Sequence, residues 1–270
     1  NVSVDFQWNK LNADLVNFVY PKRYTTLVAV ASALHFERFK LQANLLGTFV
    51  HERTKVENGA ADDMQEYTPT LVASWQPFQT GDFNVRAFYK RIFRMPTLND
   101  LYYTFIGNIY LKPEYTNQYN VGVTYVRVFD KRCLKRFELQ ADAYYNEVSD
   151  KIIAMPTSNQ FRWTMVNLGE VEIRGVDVAL QGSWRFGQDW LFDTRVSYTY
   201  QKAQDFTKKE SPFYGDQIPY IPWHSGSAIA QASFKGWNLN YSFIYVGERY
   251  NQQENIKYNY TQPWYTSDIS

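Results

Sequence analysis

The chain has 270 residues, a formal net charge of +1, and 18% aromatic residues (22 Tyr, 19 Phe, 8 Trp) combined with a mean hydropathy of -0.47. Rings this abundant in a hydrophilic chain must be segregated from polar groups at short range, as on the two faces of β-strands, and no window approaches the roughly 18–20 consecutive apolar residues of a membrane helix. The balanced charge excludes a dedicated nucleic-acid binder, and the lone Cys133 excludes a disulfide frame or a Cys-based zinc site within the chain.

Val2, Val4, Phe6 and Trp8 share one parity, so the chain is expected to start inside a strand, mid-fold. Tyr24 to Phe36 is an apolar run of unassigned parity, and Lys40 to His51 alternates Leu41, Ala43, Leu45 and Phe49 with Gln42, Asn44 and Thr48. After a charged loop containing Asn58-Gly59, strands are predicted over Tyr67 to Gln76 and Phe83 to Arg94, separated by a Pro/Gly turn. Phe93 to Glu114 then breaks the alternation with two prolines, a Gly-Asn pair and clustered aromatics, and reads as a loop held in one shape.

Beyond it the pattern sharpens. Asn117 to Val128 sets Tyr119, Val121, Val123 and Tyr125 against Gln118, Asn120 and Thr124, and Phe137 to Val148 sets Phe137, Leu139, Ala141 and Ala143 against Glu138, Gln140 and Asp142. Carboxylates at every second position are costly in hydrocarbon unless that face looks into a polar lumen. Asp150 to Leu168 reads as another long connection. In Glu170 to Arg185 the apolar parity slips near Arg174-Gly175, which predicts a bulge. Trp190 to Ala203 alternates cleanly, Gln204 to Ile221 is a long loop, Trp223 to Phe234 is a weak strand of small residues, Trp237 to Gly247 alternates again, and Trp264 to Ser270 begins a last strand.

This makes about twelve strands joined alternately by short and long connections, the polarity of a barrel with short periplasmic turns and long external loops. The expected fold class is all-β, a transmembrane antiparallel β-barrel. Tyr and Trp near strand ends fit aromatic girdles at the lipid headgroups.

The stretch Phe93, Arg94, Pro96, Thr97, Leu101, Tyr102, Gly107, Asn108, Leu111, Lys112, Pro113 and Glu114 resembles a motif of TonB-dependent outer-membrane receptors. Further points agree in order: Asn167-Leu168-Gly169, Gly175-Val176-Asp177, Tyr198-Thr199-Tyr200 with Ala203, Ile218-Pro219-Tyr220-Ile221-Pro222 with His224, and Gly247 with Arg249-Tyr250. The resemblance implies that residues 1–270 are part of a barrel of about 22 strands, with the plug domain, the TonB-contacting box and the last strands outside this chain. It also implies a Gram-negative outer-membrane location and uptake of a scarce large solute: a ferric siderophore, cobalamin or, less favoured, haem. The implied partners are TonB, outer-membrane lipid, that ferric chelate or cobalamin ligand, and a surface lipoprotein. No enzyme activity and no resident cofactor are implied.

Arg94, Met95, Tyr102, Tyr103, Phe105 and Trp163 are the candidate ligand contacts, an Arg attracting an anionic chelate and rings packing on its apolar parts. The plainer reading, which we prefer, is that Pro96 and Pro113 fix the backbone while the rings pack on neighbouring loops. Haem receptors of this class carry Phe-Arg-Ala-Pro and Asn-Pro-x-Leu boxes with a histidine between; here Met95 and Ile109 replace the Ala and the Pro, and no histidine lies between Arg94 and Leu111. His35, His51 and His224 read as strand-end hydrogen-bonding residues rather than metal ligands, and Asp62-Asp63 as solvated loop charge rather than a calcium site. His224-Ser225 with Asp216 could be imagined as a hydrolytic set, but adjacency in sequence is not catalytic geometry. An outer-membrane lipase or protease on a smaller barrel and a soluble β-rich glycan-binding or adhesin module remain as alternatives at this point.

Overall fold

The computed structural model describes residues 1–15, 18–103, 106–130, 132–156 and 162–270. In chain order the strands are β1 (Val2–Lys10), β2 (Lys22–His35), β3 (Phe39–Arg53), β4 (Met64–Trp75), β5 (Phe83–Arg94), β6 (Glu114–Val128), β7 (Leu134–Pro156), β8 (Trp163–Phe186), β9 (Trp190–Asp205), β10 (His224–Phe234), β11 (Trp237–Val246), β12 (Arg249–Tyr250), β13 (Tyr260–Thr261) and β14 (Trp264–Ile269). Twelve of them form one sheet in the order β1 to β11 followed by β14, while β12 and β13 pair separately. Each strand pairs antiparallel with its chain neighbours, so the sheet is a meander, and it is open between β1 and β14.

The registers fix how the strands lean. The hydrogen-bonded row that contains Trp75, at the short-turn end of β4, runs through Val85, Val123, Ala141, Val178, Tyr198 and Gly226 to Tyr245. Tyr245 lies eight residues above Trp237, which opens β11 at that same end. Eight residues at ~3.4 Å against seven strand spacings at ~4.8 Å give a tilt of roughly 39°. That is the inclination of a barrel wall.

With this tilt the outward rings fall into two belts. At the short-turn end, Trp184 packs on Phe192 with centroids 5.5 Å apart, Trp190 stacks on Phe234 at 4.3 Å, and Tyr125 meets Phe137 at 6.3 Å. At the long-loop end, Tyr24 meets His51 at 6.3 Å, Phe49 meets Tyr67 at 6.2 Å and Phe93 meets Tyr115 at 5.6 Å, and a little below them Tyr89, Tyr119 and Tyr145 form a ladder with centroids 5.2 and 6.2 Å apart. Between the belts the outward residues are exposed aliphatics such as Val121, Val176, Leu180 and Leu239, a surface made for lipid rather than water. The opposite face carries polar groups. Arg86 there bridges β5 to Asp142 of β7 at 2.5 Å across Gly122, where a Cβ would stand 2.2 Å from the Asp142 carboxylate.

Two expectations are corrected. Asp150 to Leu168 is not a long connection: Lys151 pairs with Leu168 and the ladder runs on to Pro156 and Trp163. β7 and β8 therefore have 23 and 24 residues, over twice the about 9–11 needed to cross a membrane, and their hairpin stands clear of the belt. Nor is there a bulge at Arg174-Gly175, since Tyr144↔Gly175 and Tyr145↔Arg174 pair in unbroken register; the shift lies at Leu134/Arg136. Gly175 serves another need, because a Cβ would stand 2.3 Å from the Tyr144 ring and 2.7 Å from the Tyr200 carbonyl. The parity slip records height. Above the belt the lumen-side residues Val171 and Ala203 are fully buried under the loop after β9, while Glu172 and Arg174 on the other side pair with each other near solvent. The weakness of Trp223 to Phe234 has a similar local cause: β10 pairs regularly on both sides, and its outward residues are Ala228, Ala230 and Ala232.

Candidate functional site at the external loops

The stretch between β5 and β6 contains a short helix, α1 (Leu98–Tyr102), started by a reciprocal cap. Asp100 N donates to Thr97 Oγ1 at 3.1 Å, and Thr97 N donates to Asp100 Oδ2 at 2.9 Å. Pro96, fully buried, precedes the cap. The chain reverses at Gly107, whose N donates to Tyr103 O at 2.6 Å; a Cβ there would lie 2.6–2.8 Å from backbone atoms of Tyr103 and Leu101, so only glycine fits. Asn108 then bonds Met165 O at 3.1 Å, and Asn167 Oδ1 accepts from Lys112 N at 2.9 Å, tying the stretch to the β7–β8 hairpin.

Leu101, Tyr102 and Leu111 bury against Ile152 of that hairpin. Its other face packs Leu168 and Ile153 with Ile218 and Ile221 of the loop after β9. The hairpin is thus the middle layer of three. In the third layer, Gln217 is 1% exposed. Its Oε1 accepts from Ala203 N at 2.9 Å, and its own N donates to Asn255 Oδ1 at 2.7 Å, pinning two loops together.

Arg94 is half-exposed, with Nη1 3.2 Å from Glu114 Oε2 and Nη2 3.8 Å from Asp100. Glu114 also accepts from Ile152 N at 3.0 Å. The guanidinium is therefore compensated internally and offers an anion little unpaired charge. Tyr102 is buried and donates its hydroxyl to Glu52 Oε2 at 2.6 Å, while accepting from Ala61 N at 2.9 Å. Glu52 in turn takes Arg23 Nε at 2.6 Å. Burial and the hydrogen bond to Glu52 push the Tyr102 hydroxyl well above the ordinary phenol pKa, so it stays a donor.

Met95 lines a cleft of about 380 Å³ with Ala61, Leu111 and Lys112. Tyr103 is exposed at the end of α1. Trp163 is elsewhere. It lines a second cleft of about 180 Å³, with Met155, Pro219 and Tyr220, on the far side of the hairpin from α1. The candidates therefore form two groups, and Phe105 lies outside the described residues. Sequence reasoning missed Tyr110, 85% exposed beside the first cleft, and the buried hub Gln217. Tyr110 carried a signal in the preceding Gly-Asn reversal; Gln217 sat in a segment read only as loop.

The remaining polar residues named from the sequence have structural partners. His224 Nδ1 is 2.7 Å from the Tyr198 hydroxyl, and Asp216 Oδ2 accepts from Asn255 N at 3.0 Å, so these two members of the imagined hydrolytic set are engaged elsewhere. His51 pairs with Asp63 at 2.6 Å, which lowers the Asp63 pKa below the ordinary carboxylate value. Among the described residues no group of three or more His, Cys, Asp or Glu is placed to hold a metal.

A tilted antiparallel wall with an apolar belt between two aromatic rows, short turns at one end and interlocked loops at the other, is a section of the wall of an outer-membrane β-barrel. The family model described as TonB dependent receptor-like, beta-barrel matches residues 3–270. The chain belongs to that family, whose barrels are Gram-negative outer-membrane proteins. In sequence it is 34% identical over 86 residues to the "Vitamin B12 transporter BtuB" of Vibrio vulnificus, covering 32% of this chain and 13% of that one. It is 27% identical over 184 residues to the "Vitamin B12 transporter BtuB" of Photobacterium profundum, covering 66% of this chain and 27% of the other. Solved structures agree in fold. The ferric preacinetobactin receptor BauA of Acinetobacter baumannii superposes with TM-score 0.67 at 17% identity, over 93% of this chain and 36% of that one. The iron transporter FrpB of Neisseria meningitidis superposes with TM-score 0.63 at 17%, over 94% and 38%. The chain thus spans well under half the length of the relatives it matches. Those relatives are named as transporters and receptors, not enzymes.

Proposed function

We propose that this chain is part of the wall and external capture face of a TonB-dependent importer of a corrinoid of the cobalamin class. The observation that carries the reading is the family match across residues 3–270 together with sequence kinship to two proteins named as vitamin B12 transporters. In this reading TonB acts through a plug domain carried elsewhere in the whole protein, and the chain contributes the rigid external loops that meet the ligand.

The geometry supports a division of labour within the candidate residues. Tyr102, buried on Glu52, holds α1 in place, with Pro96, Thr97 and Gly107 setting the loop around it. Met95 in the cleft on one side of the hairpin, the exposed Tyr103 at the end of α1, and Trp163 in the cleft on the other side are the groups left to meet a ligand, while Arg94 is held by Glu114 and Asp100. A corrinoid, which combines a broad apolar ring system with amide side chains, suits Met and aromatic surfaces with few free charges.

The test is binding of cyanocobalamin, and in parallel of a ferric catecholate, to the purified full-length receptor. Saturable cyanocobalamin binding that weakens on replacing Met95, Tyr103 and Trp163 by Ala, with barrel yield unchanged, is the expected result. Saturable binding of the ferric chelate alone would replace corrinoid by siderophore.

A further inference from the structure

Above the external aromatic belt, the lipid-facing parity of β1, β2 and β3 ends in cations. Lys10 pairs with Lys22, and Lys22 with Arg53, so three like charges stand directly opposite one another along one row. The row below holds Trp8, Tyr24 and His51, the belt itself. Like charges placed directly across strands repel, and a bound counter-anion relieves that cost. Among the described residues Asp63 flanks the Arg53 end of the row and feels its charge, but it is bound to His51 Nδ1 and to Glu52 N, and Lys10 and Lys22 have no acid in the ladder beside them. Arg53 Nε donates to His51 Nε2 at 2.9 Å, which fixes the guanidinium beside the belt. On the outer face of β7 and β8, by contrast, the cross-strand neighbours Glu147 and Glu172 have Arg174 beside them, paired with Glu172.

We propose that the Lys10–Lys22–Arg53 row is a binding site for the phosphate groups of the phosphorylated glycolipid in the outer leaflet. Charge complementarity and position argue for it. The belt places these side chains two residues beyond the rings that sit at the headgroup boundary, and their parity points them to lipid rather than into the lumen, where Arg23 and Glu52 of the same strands pair with each other. The anchored acyl chains would lie over the outward aliphatic surface of Val4, Val28 and Val30 below.

The experiment uses the full-length receptor in detergent. Binding of bisphosphorylated lipid A and of the same lipid stripped of phosphate is measured for the native protein, for K10Q/K22Q/R53Q, for a charge-retaining K10R/K22R control, and for K235Q at a turn on the opposite end of the barrel. Each cation near an anionic surface is worth roughly fivefold in affinity, so the triple variant should bind the phosphorylated lipid on the order of a hundredfold more weakly. K235Q and K10R/K22R should bind as the native protein does, and the phosphate-free lipid should distinguish none of them. Equal affinity of native and triple-variant protein for phosphorylated lipid A would overturn the proposal, as would an equal loss in K235Q. Heat-modifiable migration of the triple variant shows that its barrel is folded.

Discussion

The half of the chain between the aromatic belts and the half above them are built for different solvents. Below the external belt, large apolar side chains such as Val121, Val176 and Leu239 are exposed, and stability rests on the hydrogen-bonded ladder and on lipid that covers them. Above it lie the buried hydrophobic residues, from Phe18 and Leu101 to Val171 and Ile218, collected between loops. The same strands serve both halves. β8 carries Val176, Val178 and Leu180 outward in the membrane and Val171 inward above it, so what counts as inside changes along a single strand.

If the halves are separable in this way, substitutions should damage them separately. Glu52→Ala has the largest expected effect: it strips buried Arg23 and the Tyr102 hydroxyl of their partner, at a cost of about 3–5 kcal/mol, since an uncompensated buried charge remains. Hydrogen exchange should rise in α1 and the loop before β4 while strands β5 to β9 stay protected between the belts. Val121→Lys tests the other half. A lysine on the lipid face near midplane should cost about 2–4 kcal/mol in the bilayer, read as lower denaturation midpoint in lipid vesicles, and leave exchange in the external loops unchanged. Loss of protection in both halves from either change would show that they unfold as one unit.

Thr97→Ala should be milder, about 1 kcal/mol, through loss of the reciprocal cap, and should fray α1 alone. The smallest effect expected is acidic. Because His51 holds the Asp63 carboxyl below its ordinary pKa, the contact stabilises the loop before β4 above that ordinary value and is lost as pH falls through the lowered one. Exchange in residues 54–63 should rise below about pH 4 in the native protein, and in Asp63→Asn it should be raised already at neutral pH with no acid step.

Much of the membrane half was legible because its signal is local. Tyr119, Val121 and Val123 against Gln118, Asn120 and Thr124 state which face meets lipid, and the twelve runs read as strands, Tyr24 to Phe36 without a parity among them, match the twelve strands of the main sheet. The external half misled the reading where burial came from distant segments. Ile152 and Ile153 look like one short apolar run in a loop, yet each packs on a different layer, against Leu101 on one side and Ile218 on the other. Tyr102 was singled out as a ring for a ligand, and the structure places its hydroxyl on Glu52, fifty residues away in sequence.

The sequence by itself determined the number of strands in the main sheet, the outward and inward faces of most of them, and most of the short and long connections, because each follows from a period of two and from turn residues close at hand. Only the tertiary structure decided the height at which the faces exchange roles, the extension of the β7–β8 hairpin, and the separation of Trp163 from Arg94. Those depend on which loop covers which strand, and a side chain buried by a segment 40 or 50 residues away leaves no period in its own neighbourhood.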